Sequence, residues 1–585
     1  MPASGGKPAL VTRTTSDPFF GKDGDRVFFV KFDGGDQAAP AKRILASIKL
    51  DGSDEREHCL SEVAQEFTIS PDGRWLAFRE RYNAYITPFV ETGRRVDVGP
   101  RSKAVPVARV SRDAGEFLHF SGDSSRLYWA EGPELFQRDL KDAFAFLPGA
   151  PEKLPEAPAQ GMNIGFDAPV DAPPTSSVVA FTGGRVITMK GTEVLEDGVV
   201  LVEGSRIKAV GRKGEVAVPP GAKIVDASGG TVLPGLVDAH WHGPVGADEM
   251  IPQQNWHTDA SLAFGVTTIH DPSNDTGEIF SAAEMARAGI VRAPRIFSTG
   301  TILYGAAGEY KAEIDSLDDA RGHLRRMKAA GAISVKSYNQ PRRDQRQQVL
   351  AAAREIGIMV VPEGGSLFMH NMTMVVDGHT TVEHTIPVPN AYKDVLALWP
   401  PTHVGYTPTL LVGYGGNWGE NYWYQKTNVW ENPKLSRFVP PFVLDPRSRR
   451  RTMVPENEFN HFAIAKISAN LDSGGVLVNT GAHGQREGLG LHWEIWMMAQ
   501  GGLSPLEALR CATSNGAKTL GMDASLGTLE PGKLADVIVV DGNPLQDIRQ
   551  SEKVLWTMVN GRLYDANTLN ETFPRDKKRA KYWWE

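Results

Sequence analysis

Alternation of apolar and polar residues dominates the first quarter of the chain. From Asp23 the sequence reads "DGDRVFFVKF", from Asp72 "DGRWLAFRER" and from Asp123 "DSSRLYWAEG". Each stretch sets an Asp-led turn before an arginine (Arg26, Arg74, Arg126) and then an aromatic-rich strand. A period near fifty residues, built of turn-then-strand units, predicts propeller-type blades over residues 1–145. Closed propellers have about four to eight blades. Three units therefore predict an incomplete propeller, either an open array or one whose missing blades lie upstream in a longer parent or on another subunit.

Residues 146–176 are rich in Pro, Ala and Gly and predict an extended linker. Over 177–234 short apolar runs alternate with glycine turns, the pattern of a small β-sandwich. Beyond Gly235 strand-like and helix-like runs alternate for almost three hundred residues. The strand-like ones are "GLVDAHWH", "GVTTIHD", "RIFSTG", "ISVKSY", "IMVVPEGG", "TTVEHT", "VGYTPTL" and "VLVNTGAHG". Eight such runs over 235–523 predict a (β/α)8 barrel. A doubly wound open sheet would carry a glycine-rich phosphate loop at its first turn, and none is present. After the last run, "SPLEALRCATSNGAKTLG" predicts a helix. Ser504 caps it, Pro505 opens it and Glu507 closes a capping box. Leu506, Leu509, Thr513, Ala517 and Leu520 share one face, so this helix is scaffold. The expected fold is multidomain: all-β propeller-type blades, then a (β/α)8 barrel with a small discontinuous β-sandwich.

Composition adds exclusions. The 585 residues carry a formal net charge of −7, which argues against nucleic-acid binding. The one basic run lies in the tail, residues 566–585, where "RDKKRAKYWWE" reads as a solvated or docking segment. Two cysteines, Cys59 and Cys511, are too few for a disulfide framework. No apolar stretch is long enough to span a bilayer, and the first twenty residues lack the apolar core of a signal peptide.

Candidate chemistry begins at residues 231–243, "TVLPGLVDAHWHG". His240 and His242 are two apart at the end of an apolar strand, so both rings face the same side. Neutral imidazole is the commonest metal ligand. The spacing fits a metal site and equally a pair of edge-strand surface histidines.

"LPGLVDAHWHG", followed some 280 residues later by "LGTLEPGKLADVIVVDGNPL", resembles the two signature ends of the amidohydrolase superfamily. The likeness is to its imidazolonepropionase-like and Xaa-Pro dipeptidase-like branches, over roughly 177–565. "SPDGRWLAF" in turn resembles the blade motif of TolB-like propellers. The superfamily resemblance implies a composite sandwich from 177–234 and 524–565. It implies one or two divalent ions, zinc first, held by His240 and His242 with Lys336 and His384. In many such relatives the fourth-strand lysine carries a CO2-derived carbamate that bridges two ions, roughly 3.5–4 Å apart. It also implies an exported or periplasmic parent.

Two departures stand out. Where relatives carry a fifth-strand histidine, "IMVVPEGG" offers Glu363, a competent ligand or a plain turn residue. Where they carry a strand-eight aspartate, "VNTGAHGQRE" has Gly481. His483 lies two residues on, as the base or as an ordinary loop histidine, with Glu487 a more distant candidate.

The resulting expectation is metal-assisted hydrolysis of an amide or peptide-like C–N bond, with a small molecule or short peptide as substrate. His483 serves proton transfer, Tyr338 donates to the oxyanion, and His270 touches substrate or simply packs. A deaminase, a lactonase or a non-catalytic binding protein are the alternatives. The loop after "VGYTPTL" carries Trp418, Tyr422, Trp423, Tyr424 and Trp430, enough rings to favour a propeller-mediated or homo-oligomeric interface over a substrate wall.

Overall fold

The computed structural model describes all residues except 1–4, 8, 14, 36–40, 165–168, 248, 305–310, 341 and 366. Residues 165–168 of the expected linker therefore lie outside the described residues. The chain divides into two compact units, Met1–Asp167 with Ala306–Gly331, and Ala168–Gly305 with Ala332–Glu585.

The described part of the first unit is built from three mainly antiparallel sheets, with turns that repeat in atomic detail. The Asp72 carboxylate accepts from the Arg74 N–H and the Ser70 hydroxyl, and Ser70 Oγ accepts from the Trp75 N–H. Fifty-one residues later the same bonds recur around Ser121, Asp123 and Arg126, with Ser125 in the place of Arg74. These are Asx turns, which start a strand without the backbone having to supply the acceptor. In the first repeat Gly21 takes the serine position and keeps only the backbone bond to Arg26. The strands that follow bury Phe28, Phe78 and Trp129. These sheets do not show a closed propeller.

Helix Leu317–Ala329 belongs to this unit, although the sequence places it between barrel strands. Its Arg325 holds Asp113 by two bonds of 2.8 and 2.6 Å, and its Arg326 lies 3.4 Å over the Tyr82 ring. The helix starts on a reciprocal capping box between Ser316 and Asp319.

In the second unit, strands before and after the barrel meet in one nine-stranded sheet. Gly230–Pro234 pairs antiparallel with Val537–Asp541, register Val232 to Val539, across three hundred residues of chain. Their Val and Ile side chains, buried on both faces, make this a packed layer rather than a surface hairpin.

The barrel strands follow the predicted runs: Leu236–Asp238, Val266–Asp271, Arg295–Ser298, Ser334–Tyr338, Met359–Pro362, Thr381–Glu383 and Gly405–Thr407. The eighth, 477–480, bonds to Tyr406 on one side, and the Ala239 N–H donates to its Thr480 carbonyl on the other. Several of these strands are only three residues long, because the short apolar runs end where glycine, proline or a site residue begins.

The helix capped by Ser504 forms with its capping box, but it is not continuous. Pro505–Arg510 passes into a wider turn at Cys511–Asn515 before Gly516–Thr519 resumes. The aromatic loop corrects the interface expectation for three of its five rings, while Trp418 is exposed and Trp430 half-buried. It folds into helices Gly419–Lys426, Pro433–Phe438 and Pro441–Arg449, and Tyr422, Trp423 and Tyr424 are buried against Trp493, Trp496 and Phe459. Those rings are interior packing.

Candidate metal centre

Four imidazoles converge at the C-terminal ends of the barrel strands. His240 follows the first strand, with ring centroids 5.0 Å from His242, 4.8 Å from His384 and 5.2 Å from His483. His242 and His483 are 4.6 Å apart and His384 and His483 5.1 Å. Ligand-capable nitrogens of His240, His242 and His483 all lie within 4.8 Å of one another. The His240 and His242 Nε2 atoms face each other at 3.2 Å.

The opposite ring nitrogens are anchored. His240 Nδ1 lies 2.5 Å from Glu383 Oε2, and His242 Nδ1 lies 2.9 Å from Asp271 Oδ1. Thr409 Oγ1 is 2.8 Å from His384 Nδ1. A carboxylate at Nδ1 fixes the ring orientation and leaves Nε2 to donate its lone pair, the usual arrangement behind a metal-binding histidine.

Lys336 and Glu363 complete the other side. Lys336 Nζ is 2.6 Å from Glu363 Oε2, and His384 Nε2 is 3.0 Å from Glu363 Oε1. Burial works to raise the Glu363 pKa, but Lys336 and His384 together hold it well below the usual carboxylate range. Desolvation pushes the other groups toward neutral forms. The His240 ring is held well below the ordinary imidazole value and His483 is lowered to about 2, by burial first and by the neighbouring cationic sites second. Burial raises Glu383 to about 7. Neutral imidazoles around an anionic carboxylate make a donor set suited to a divalent cation.

The strand-eight loop explains the missing aspartate. A Cβ added to Gly481 would sit 2.4 Å from His240 Cβ and 3.1 Å from His240 N. At Gly484, whose φ is +67°, it would sit 2.0 Å from the His242 carbonyl oxygen. The two glycines thus let the loop lie directly on the first-strand histidines. Between them His483 adopts a left-handed backbone, φ 57°, and its N–H donates to the His240 carbonyl at 2.7 Å. A non-glycine residue held at positive φ carries strain of order 1–3 kcal/mol and marks a position fixed by its surroundings. The buried His483 Nδ1 has no hydrogen-bond partner.

The structure therefore brings His240, His242, Lys336, Glu363, His384 and His483 together. His270 is buried with both nitrogens engaged, Nε2 at 2.8 Å from Ser334 Oγ and Nδ1 at 3.2 Å from the Ala239 carbonyl. Tyr338 lies with its ring 5.8 Å from Tyr304. Sequence reasoning missed Asp271 and Glu383. Each stands beside a histidine, in "IHD" and "VEHT", and adjacency alone did not show that it serves a different, distant ring.

A parallel barrel carrying a histidine and carboxylate cluster at its strand ends, with a sheet formed from both flanks, resembles the architecture of the amidohydrolases. Comparison with known proteins finds likeness to the same group. The Amidohydrolase family model matches residues 465–564. A dihydroorotase of Geobacter sulfurreducens is 30% identical over 211 residues, 34% of this chain and 46% of that protein. The chain thus spans about half the length of that curated relative. An imidazolonepropionase of Sphingopyxis alaskensis is 23% identical over 416 residues, 63% of this chain and 92% of that protein. Among solved structures, a Xaa-Pro dipeptidase with bound methionine in the active site aligns with a TM-score of 0.52 at 21% identity. It covers 66% of this chain and 100% of that one.

Proposed function

We propose that this protein is a metal-dependent hydrolase of amide or peptide-like C–N bonds, acting on small molecules or short peptides. The observation that carries the reading is the cluster of His240, His242 and His483, with two of the three rings oriented by carboxylates and the third left with an unpartnered buried nitrogen.

These residues fit a divalent metal, and zinc suits the imidazole-rich set best. His240, His242 and His483 would hold one ion, and Lys336, Glu363 and His384 would line a second position if Lys336 carries a carbamate. When bound, such an ion supplies hydroxide at neutral pH and polarises the scissile carbonyl. The chain's own residues set the rest. Glu383 and Asp271 keep His240 and His242 in one tautomer. Glu363 stays anionic at neutral pH and holds Lys336 Nζ at 2.6 Å and His384 Nε2 at 3.0 Å when Lys336 is unmodified. The loop 481–484 presses His483 against His240 and so makes it a ligand in this reading, which leaves proton transfer to another group.

Elemental analysis tests the proposal, on the wild type beside Glu363→Ala and Lys336→Ala. Nearly two ions per chain, lost in both variants, support a binuclear hydrolase. One ion insensitive to Lys336→Ala limits the site to the His240 side. No bound metal after supplementation would leave a non-catalytic binding protein.

A further inference from the structure

The strand-eight aspartate of amidohydrolases both binds metal and moves the proton. Here Gly481 carries no side chain, and His483 lies among the ligand rings, so the proton-transfer role is open. A cleft of about 410 Å³ opens beside the cluster, lined among others by His242, Asp271, His483, His257 and Glu487.

His257 and Glu487 form a pair that the metal site does not use. His257 Nδ1 lies 3.2 Å from Glu487 Oε1, and the two side chains are 15% and 8% exposed. The contact is not aligned as a hydrogen bond in the free protein, and among the described residues His257 Nδ1 and Glu487 Oε2 are buried without a hydrogen-bond partner. Catalytic hydrogen bonds are often loose in the free enzyme and align only with substrate present. His257 is held from the other side by ring contact with Trp256, centroids 3.5 Å apart. Among the described residues its Nε2 has no hydrogen-bond partner. Asp271, the other carboxylate of the cleft, is committed to His242, the Ser273 N–H and Asn274. A carboxylate beside Nδ1 of a histidine that lines a cleft is the arrangement an oriented acid–base imidazole requires.

We propose that His257 is the proton-transfer residue of this site and Glu487 its positioning residue, in the role that aspartate fills in relatives. The proposal rests on the hydrolase reading above. In the step assigned, water adds its hydroxyl to the carbonyl carbon and its proton passes to His257 Nε2. The C–N bond then breaks with its electron pair on nitrogen, and the nitrogen takes that proton from His257. Carboxylic acid and amine leave, and the acid gives up its own proton to solvent to become the carboxylate.

The test uses the full-length, metal-loaded protein with p-nitroanilides and p-nitrophenyl esters of the same small acyl and aminoacyl groups. An anilide must be protonated to leave, whereas nitrophenolate leaves unaided. General acid–base catalysis contributes about 10²–10⁴-fold. His257→Gly is expected to lower anilide kcat about 100-fold or more at unchanged metal content, and to lower the anilide-to-ester ratio at least about 30-fold. Added imidazole should restore anilide turnover. Glu487→Gln should lower kcat rather than raise KM, and should slow carbethoxylation of His257 by diethyl pyrocarbonate, followed by peptide mass mapping. Equal losses on both leaving groups, failure of rescue, or an unchanged modification rate would overturn the assignment while leaving the hydrolase reading intact. Metal-loaded wild type that turns over neither substrate class would overturn the hydrolase reading itself, and this one with it.

Discussion

Restoring the aspartate that relatives carry is the sharpest perturbation of this site, and Gly481→Asp is expected to damage it. Gly481 has no positive φ, so nothing in its backbone forbids a side chain. Space forbids it: the new Cβ would meet His240 Cβ at 2.4 Å, Thr407 Cγ2 at 3.0 Å and His240 N at 3.1 Å. Real Cβ atoms do not approach that closely, and His240, fully buried and tied to Glu383, has nowhere to move. Overpacking of this kind costs about 1–3 kcal/mol. For a unit of this size that is a Tm shift of a few °C. The larger effect is expected on metal binding, because the strain bears on the His240 ring, whose Nε2 faces that of His242 at 3.2 Å. Gly481→Ala separates space from charge, since both variants share the same Cβ. Urea midpoints and metal content should fall to a similar extent in both. Metal content or turnover that rises in Gly481→Asp but falls in Gly481→Ala would refute the steric argument.

Removing the partners behind the rings should weaken metal binding without removing a ligand: Glu383→Gln and Asp271→Asn are each expected to cost about 10–100-fold in metal affinity, measured by competition with a chelating dye. Glu494, fully buried and accepting from the Leu411 N–H at 2.7 Å, is raised by desolvation from 4.5 to about 8. Its folded pKa exceeds the unfolded one, so its contribution is full below about pH 4.5 and is lost as pH rises toward about 8. Glu494→Gln should flatten that decline, so its urea midpoint should gain on the wild type between pH 6 and 8.5; parallel pH curves would count against it. Ser504→Ala removes one half of the capping box and should cost about 1 kcal/mol in urea unfolding, with activity unaffected.

The sequence by itself determined what depends on neighbours along the chain. Residues two apart on a strand share a face, which put His240 and His242 together, and the barrel strands formed where the apolar runs fell. The turns at Asp72 and Asp123 and the cap at Ser504 are made by side chains bonding within a few residues, so they too were legible. Pairings across the fold were not. That Glu383 serves His240 rather than its neighbour His384, and that Asp271 serves His242, depends on which strand ends the barrel sets side by side. The helix Leu317–Ala329 reads as one more barrel helix, yet Arg325 and Asp113 tie it into the first unit. Gly481 looked like a lost catalytic group. Only the tertiary structure shows that the eighth strand's loop lies so close to His240 that nothing larger than hydrogen fits, and that this closeness brings His483 beside His240 and His242 in the candidate metal site.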